Sequence, residues 1–373
     1  VSRNLKKLRH RFKRAARRAC RRRRRPPKFE GDAFVPGQHT HPSLDFAAMA
    51  AAEVDDGPSR PKTVAEMDEE AKVLFRQEIQ NKLKELLKKY DHLEPQDRTD
   101  FGCFPGIEME IKLIPGAEKP KARHPHPLNS AQLKAMKLIL DEFLAAGIMR
   151  RSEGSEYATQ CFLVPKKREG EYRFIANFIP LNKITVRDHW PLPVIGDLLK
   201  RLAGNRYLSK LDLKGGFYHV PIRESDRHKT ALITPFGMFE YCRMAMGLTN
   251  SPAGFQRAMQ KVFGDIPGVE IYLDDILVAT PDADSHIKAI ETIFKRAAQY
   301  NCRFVLWKCE FFRDSLEYLG HVVSNKGIGP SPKYVKKVLA LKKPRTLSQM
   351  RELCGTLQWL NKFDMRIGRL AIP

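Results

Sequence analysis

No two cysteines in this chain stand in a C-x-x-C arrangement, and their total is seven, an odd number. A disulfide framework and a zinc finger are thereby excluded as organising devices, and a reducing compartment is the simplest setting. No stretch reaches 18 consecutive apolar residues and no secretory signal opens the chain, so a soluble protein with no membrane partner is expected. Internal repeats are absent. Residues 1–25 hold no acid at all, against 14 Lys and Arg. Of the formal charge of +23, only about +9 is left for the other 348 residues. That moderate surplus suits a surface that grips a phosphate backbone, with a strongly basic arm added. At 373 residues and 42% hydrophobic content, the chain can bury the cores of two or three lobes.

The stretch that carries the most chemistry is Tyr272-Leu-Asp-Asp275. Val269 and Ile271 alternate before it, and Ile276, Leu277 and Val278 follow, so Val269–Thr280 reads as strand, tight turn, strand. An Asp-Asp pair alone is most often a solvated turn. A third aspartate, Asp212, lies in the strand-like run Tyr207–Leu213 among apolar neighbours, where an ionised carboxylate must be paired or hold a metal. Three aspartates converging from two strands form a site for hard divalent cations, most naturally Mg²⁺, and two such ions suit phosphoryl or nucleotidyl transfer.

The rest of the chain arranges itself around that stretch. Residues 1–25 read as a disordered basic arm and 26–62 as a flexible linker; residues 63–92 form an amphipathic helix opened by Thr63 and Glu66. Phe75, Ile79, Leu83, Leu86, Leu87 and Tyr90 make its apolar stripe, a packing surface. Ile107–Leu113 alternates as a strand before the turn Pro115-Gly116. Asn129 or Ser130 caps a helix closed by Gly147. Strands Tyr157–Val164 and Tyr172–Phe178 flank the charged turn Lys166–Gly170, suited to a solvated tip or to clamping a triphosphate. A helix over Pro193–Arg201 leads to the Asp212 strand. A hairpin follows over His228–Thr234 and Met238–Cys242, then a helix opened by Ser251 and Pro252. Asp284 or Ser285 caps the next helix, Leu316–Val323 is one more strand containing Gly320, and helices follow Pro330. The order is α+β, an antiparallel sheet with helices on one face. With Val at position 1 and an end soon after a helix-like segment, the chain reads as a fragment of a longer polypeptide.

Three blocks, Tyr207–His219, Met246–Gln256 and Ile271–Ile276, resemble the successive motifs of a reverse transcriptase, most closely the gypsy-type long-terminal-repeat retrotransposons. Tyr318–Val323 and Leu353–Asn361 fit the blocks that follow, so the resemblance covers about residues 94–365. It implies a right-hand polymerase fold, with fingers and palm over 93–328 and thumb helices over 329–373. It further implies RNA-directed DNA synthesis with two Mg²⁺ ions, or Mn²⁺, held by Asp212, Asp274 and Asp275, and with the Leu213 carbonyl as an added ligand. Lys166 and Arg173 fall where the family holds the incoming deoxynucleoside triphosphate, and Phe217 where a ribose 2′-hydroxyl is blocked. Met246 and Gly247 fall at the nucleotide pocket, Tyr272 near the primer end, Leu319-Gly320 at the primer grip, and Lys308 where pyrophosphate is protonated. Met246 and Leu319 are themselves read as core or pocket wall.

The implied partners are an RNA or DNA template with its primer. Protease, ribonuclease H and integrase units are expected on the parent polyprotein but not within this chain. The implied location is a cytoplasmic virus-like particle, with the basic arm suited to nuclear entry; no oligomeric state is implied. Two departures stand out: Asn177-Phe178-Ile179 where the family usually carries Asp-Tyr-Arg, and Met246 where Phe is usual. Those departures favour the rival reading, a decayed or repurposed nucleic-acid-binding protein. The intact aspartates favour the enzyme, and Phe217 argues against an RNA replicase.

Overall fold

Period-two runs of apolar residues pair into three sheets, and helices with one apolar face cover them. The structure, a computed structural model, describes residues 69–122, 124–166, 171–341 and 343–363. The basic arm, the linker, the Thr63–Glu66 cap and the tip residues 167–170 lie outside them.

Helix α1 (Glu69–Lys89) buries Ile79 and Leu86, and Tyr90 just beyond it packs on Phe294 with ring centroids 5.7 Å apart. Helix α2 (Ser130–Ala145) starts with a reciprocal capping box between Asn129 and Gln132, which satisfies two backbone N–H groups that the first turn leaves free. Strands β1 (Met149–Arg151), β2 (Thr159–Pro165) and β3 (Tyr172–Ala176) lead to helices α3 (Ile179–Ile184) and α4 (Ile195–Leu202). Next come β4 (Tyr207–Asp212), β5 (Leu232–Thr234), β6 (Gly237–Tyr241), helix α5 (Ser251–Phe263), the hairpin β7 (Val269–Tyr272) and β8 (Asp275–Thr280), and helix α6 (Ala283–Gln299). The order continues with β9 (Glu310–Arg313), β10 (Ser315–Tyr318), β11 (His321–Ser324), β12 (Gly327–Pro330), α7 (Pro332–Leu339) and α8 (Leu347–Leu360).

The sheets run β1-β6-β5-β2-β3, β7-β8-β4-β9 and β10-β11-β12. Every pairing is antiparallel except β2 with β5. The four-stranded sheet holds the aspartates and is apolar on both faces. Leu211, Ile276 and Val278 share a core with Phe255 and Met259 of α5 and Ile290 and Phe294 of α6. On the other face Leu208, Leu277 and Ala279 meet Leu198, Leu199 and Leu202 of α4 and Leu316, Tyr318 and Val323 of the three-stranded sheet. Each such side chain removed from water contributes about 1.5–3 kcal/mol, which makes this sheet a rigid platform. His286, fully buried, bridges Ser209 (2.7 Å) and Thr280 (2.9 Å) and so ties α6 to β4 and β8. Burial pushes its imidazole down to about 4, so it stays neutral.

Contacts divide the chain into a unit Ile79–Tyr334 and a second of Val1–Glu78 with Val335–Pro373. The sequence reading places its boundaries at 25/26, 62/63, 92/93 and 328/329. In the second unit α8 begins with a capping box between Thr346 and Gln349. None of the described helices is long and apolar enough to cross a membrane.

Four local expectations are corrected. Ile107–Leu113 is extended but joins no sheet: Met109 and Leu113 make isolated bridges, and the Ile111 N–H donates to the Asp226 carboxylate at 2.9 Å. Burial of Met109 and Ile111 explains the alternation without a strand. His228–Thr230 belongs to the 3₁₀ turn Glu224–Thr230, not to the hairpin. The caps shift by one to three residues: Asn250 precedes α5 while Ser251 Oγ donates to the Ala245 carbonyl, and Asp282 accepts from Ser285 N–H at the start of α6. Leu316–Val323 is two strands, because the chain reverses at Leu319-Gly320, where φ is 47° and 79°.

Candidate active site

β4 ends on Asp212, β8 begins on Asp275, and the antiparallel register sets the two opposite each other. Tyr272 pairs with Asp275 to close the β7–β8 hairpin, so Leu273 and Asp274 form a two-residue loop. Leu273 sits at φ 53°, in the left-handed region where a side chain is strained by roughly 1–3 kcal/mol. Gln256, wholly buried on α5, holds that strain in place: its Oε1 accepts from Leu273 N–H (2.8 Å) and its Nε2 donates to the Ile271 carbonyl (3.0 Å). The conformation of the acidic turn is therefore set by a helix beneath it.

Asp274 enters a space left by a missing side chain. A Cβ built on Gly216 would run into Asp274 Oδ1 and lie 2.9 Å from the Phe255 ring. That oxygen is buried and has no hydrogen-bond partner. Burial, then the neighbouring Asp275 and Asp212 carboxylates, push the Asp274 carboxyl up to about 6. The other two acids face ammonium groups: Lys210 Nζ lies 2.9 Å from Asp275 Oδ1 and Lys308 Nζ 3.6 Å from Asp212 Oδ1. The Asp212 backbone is fixed as well, its carbonyl accepting from Val305 N–H at 2.9 Å and its N–H donating to Cys309 Sγ at 3.4 Å.

These residues suit a hard divalent cation. Three carboxylates are concentrated at one strand end, and the most buried of them carries an unsatisfied oxygen whose ionised form needs a positive partner. They are not yet a finished cage: among the described residues no three Asp, Glu, His or Cys side chains are gathered closely enough to hold an ion by themselves.

The remaining predicted residues are placed as follows. Leu213 is buried and bridges Phe304, one residue past Asp212. Phe217 lies in the 3₁₀ turn Gly216–His219 with its ring against Phe255, centroids 5.1 Å apart. Tyr272, half-buried, packs on the Leu208–Tyr318 cluster. Met246 is 57% exposed and Leu319 42%, so of the two readings, core or pocket wall, the structure removes core. Gly247, at φ 94°, gives its carbonyl to Asn182 Nδ2 (2.8 Å), and Asn182 Oδ1 accepts from Thr249 N–H (2.9 Å), which pins the loop before α5. Leu319-Gly320 forms the tip of the β10–β11 hairpin. Lys166 and Arg173 are carried by the five-stranded sheet rather than the aspartate sheet; Lys166 faces Glu171 at 3.5 Å, and Arg173 is exposed opposite Val164. Asn177 Oδ1 accepts from the Ile179 N–H at 3.4 Å, so the first of the departing residues makes a local turn instead of presenting an acid.

Residues 164–323 match the family model described as reverse transcriptase (RNA-dependent DNA polymerase). Over these residues the chain is similar to reverse transcriptases. Transposon Tf2-3 and Tf2-7 polyproteins of Schizosaccharomyces pombe are each 28% identical over 345 residues, 91% of this chain, and agree with the gypsy-type branch. The chain spans 25% of the length of those relatives. A foamy viral protease-reverse transcriptase in complex with dsDNA superposes with a TM-score of 0.70 at 24% identity, covering 79% of this chain and 62% of that one. The foamy viral enzyme in complex with an RNA/DNA hybrid gives 0.68 and 24%, covering 79% and 40%. The fold is therefore the right-hand polymerase fold, and the aspartate hairpin lies in its four-stranded antiparallel sheet. Two features of this site escaped the sequence reading, Gln256 under the turn and Lys210 beside Asp275. Strand period alone puts Lys210 and Asp212 on one face of β4, so that signal was present.

Proposed function

We propose that this chain is an RNA-directed DNA polymerase that extends a primer 3′-hydroxyl with deoxynucleoside triphosphates. The observation that carries the reading is the buried, partnerless Oδ1 of Asp274 beside two further carboxylates at the meeting of β4 and β8. Asp212, Asp274 and Asp275 would hold two divalent cations, Mg²⁺ or Mn²⁺, which when bound lower the pKa of the attacking hydroxyl and offset charge on the leaving phosphates.

The chain's own groups do the positioning. Phe217, braced by Phe255, presents an aromatic edge that leaves no room for a 2′-hydroxyl. Lys166 and Arg173 grip the triphosphate from the fingers, and the Leu213 carbonyl, Met246 and Gly247 line the nucleotide's berth. Tyr272 steadies the primer end, with Leu319-Gly320 as its grip. Lys308, beside Asp212, is the proton donor to the departing pyrophosphate. Template choice rests on base pairing, so sequence-blind contacts from a basic surface suffice. The parent polyprotein supplies ribonuclease H and integrase, and synthesis takes place in a cytoplasmic particle, with the basic arm serving nuclear entry.

The test is extension of a DNA primer on an RNA template with four deoxynucleoside triphosphates and Mg²⁺ or Mn²⁺. Wild type lengthens the primer, and Asp275→Asn, with an unchanged circular dichroism spectrum, does not. A wild-type chain inert with both metals yet still binding the primer–template would instead establish a non-catalytic nucleic-acid-binding protein.

A further inference from the structure

Side chains alternate along β4, so Leu208, Lys210 and Asp212 share one face. Leu208 of that face belongs to the cluster with Leu277, Tyr318 and Val323. Lys210 thus stands between that apolar cluster and the carboxylates. Its Nζ is 2.9 Å from Asp275 Oδ1, with the two side chains only 25% and 24% exposed, and 5.4 Å from the centroid of the Tyr318 ring. Tyr318 is 2% exposed, and its Oη is buried with no hydrogen-bond partner. Burial pushes that phenol well up, and Asp275 is the next contributor, so carboxylate and phenol share one electrostatic neighbourhood.

A polar atom left unpaired in such a place costs about 1–3 kcal/mol, so the Tyr318 oxygen is a standing acceptor for any donor that reaches it. Lysine carries three donors on a flexible four-carbon stem, which suits it to move between acceptors. The Asp275 carboxylate, meanwhile, is asked to serve two cations: the resident ammonium and, on the reading proposed above, a divalent ion. One of them must yield. An ammonium that yields without a new acceptor would be left half-buried beside a doubly charged ion, an arrangement that opposes metal binding.

We infer that Lys210 is a positioning residue with two berths: its ammonium holds Asp275 while that carboxylate carries no divalent cation, and moves to Tyr318 Oη when a cation takes the carboxylate. The inference rests on the polymerase reading. Its consequence is that metal binding at the hairpin is linked to β10, the strand that ends at the Leu319-Gly320 turn. Tyr318 has no contact with substrate in this scheme; it acts by receiving the displaced charge.

The test is Mn²⁺ binding to the full chain, followed by the electron paramagnetic resonance signal of free Mn²⁺, for wild type, Tyr318→Phe, Lys210→Met and the double variant. Tyr318→Phe weakens binding about 5–10-fold because the ammonium has nowhere to go, and Lys210→Met tightens it by about tenfold because no ammonium competes. In the Lys210→Met background, Tyr318→Phe changes nothing. The inference is overturned by Tyr318→Phe binding as wild type does, or by its weakening Mn²⁺ equally whether or not Lys210 is present. If Lys210→Met does not fold, Lys210→Gln completes the cycle with the same criteria. Asp275→Asn is the control: a wild-type affinity that this change does not reduce would overturn the metal site and the inference together, whereas an additive cycle on a site that Asp275→Asn abolishes overturns the inference alone.

Discussion

In metal-free buffer at pH 7.5, Asp274→Asn is expected to melt above wild type while extending no primer. The carboxyl of Asp274 is pushed up to about 6 from its ordinary value of 3.8 by burial and by the charges of Asp275 and Asp212. The sign follows from proton uptake. Between those two values the folded chain binds more protons at this site than the unfolded chain, so stability falls as pH rises through that window. Above about pH 6 the full penalty is present. Removing the charge relieves roughly 1–2 kcal/mol once solvent screening is allowed for, or about 2–5 °C in Tm for a chain of this size. The advantage shrinks to nothing as pH falls toward 4. It is also cancelled by adding Mg²⁺, which raises the Tm of wild type by binding the folded state and leaves the variant where it was. Melting curves with and without Mg²⁺ at pH 4.5, 6 and 7.5 check this. A variant that melts below wild type without metal, or that still gains from Mg²⁺ as wild type does, would show that Asp274 is not the strained member of a cation site.

Phe217→Ala is expected to relax the choice of sugar by roughly 100-fold or more, read as the ratio of kcat/KM for a deoxynucleotide over the matching ribonucleotide. The expectation rests on the resemblance to reverse transcriptases, which puts Phe217 at the sugar gate; the residue is one beyond Gly216, the glycine that makes room for Asp274, and its ring packs on Phe255 at 5.1 Å. An aromatic edge so braced cannot retreat from an added hydroxyl. Losing the ring also removes packing worth roughly 2–4 kcal/mol, so Phe217→Leu serves as a milder second variant with the same direction of change. Both variants keep the aspartates and should still incorporate deoxynucleotides. Discrimination equal to that of wild type in both would remove Phe217 from the role of gate.

The legible parts of this molecule are those where a local pattern and its environment coincide. The Asp-Asp turn was readable because apolar alternation before it and an apolar run after it read as two strands about a tight turn, and Asp212 because a carboxylate inside an apolar strand requires a reason. The helix from Ser130 to Ala145 announced itself by a cap residue at Asn129 or Ser130 and a closing Gly147, and Asn129 is the cap. The turn at Leu319-Gly320 did not, since Leu316 to Val323 reads as strand by composition, and a leucine at φ 47° is not a turn residue by composition. Ile107–Leu113 misled in the opposite sense: its alternation reflects burial of Met109 and Ile111, while its backbone is satisfied by the Pro221 carbonyl and the Asp226 side chain. The partners of the acids were hidden for a third reason. Lys210 meets Asp275 across 65 residues of chain and Gln256 meets the turn from a helix, and such pairings depend on register and packing rather than on neighbours in sequence.

The most direct measurement is the anomalous scattering of Mn²⁺ in crystals of the chain with a primer–template and a non-hydrolysable deoxynucleoside triphosphate. Peaks are expected within about 2.0–2.3 Å of carboxylate oxygens of Asp212, Asp274 and Asp275. Mn²⁺-dependent extension in solution without an anomalous peak at those three side chains would contradict it.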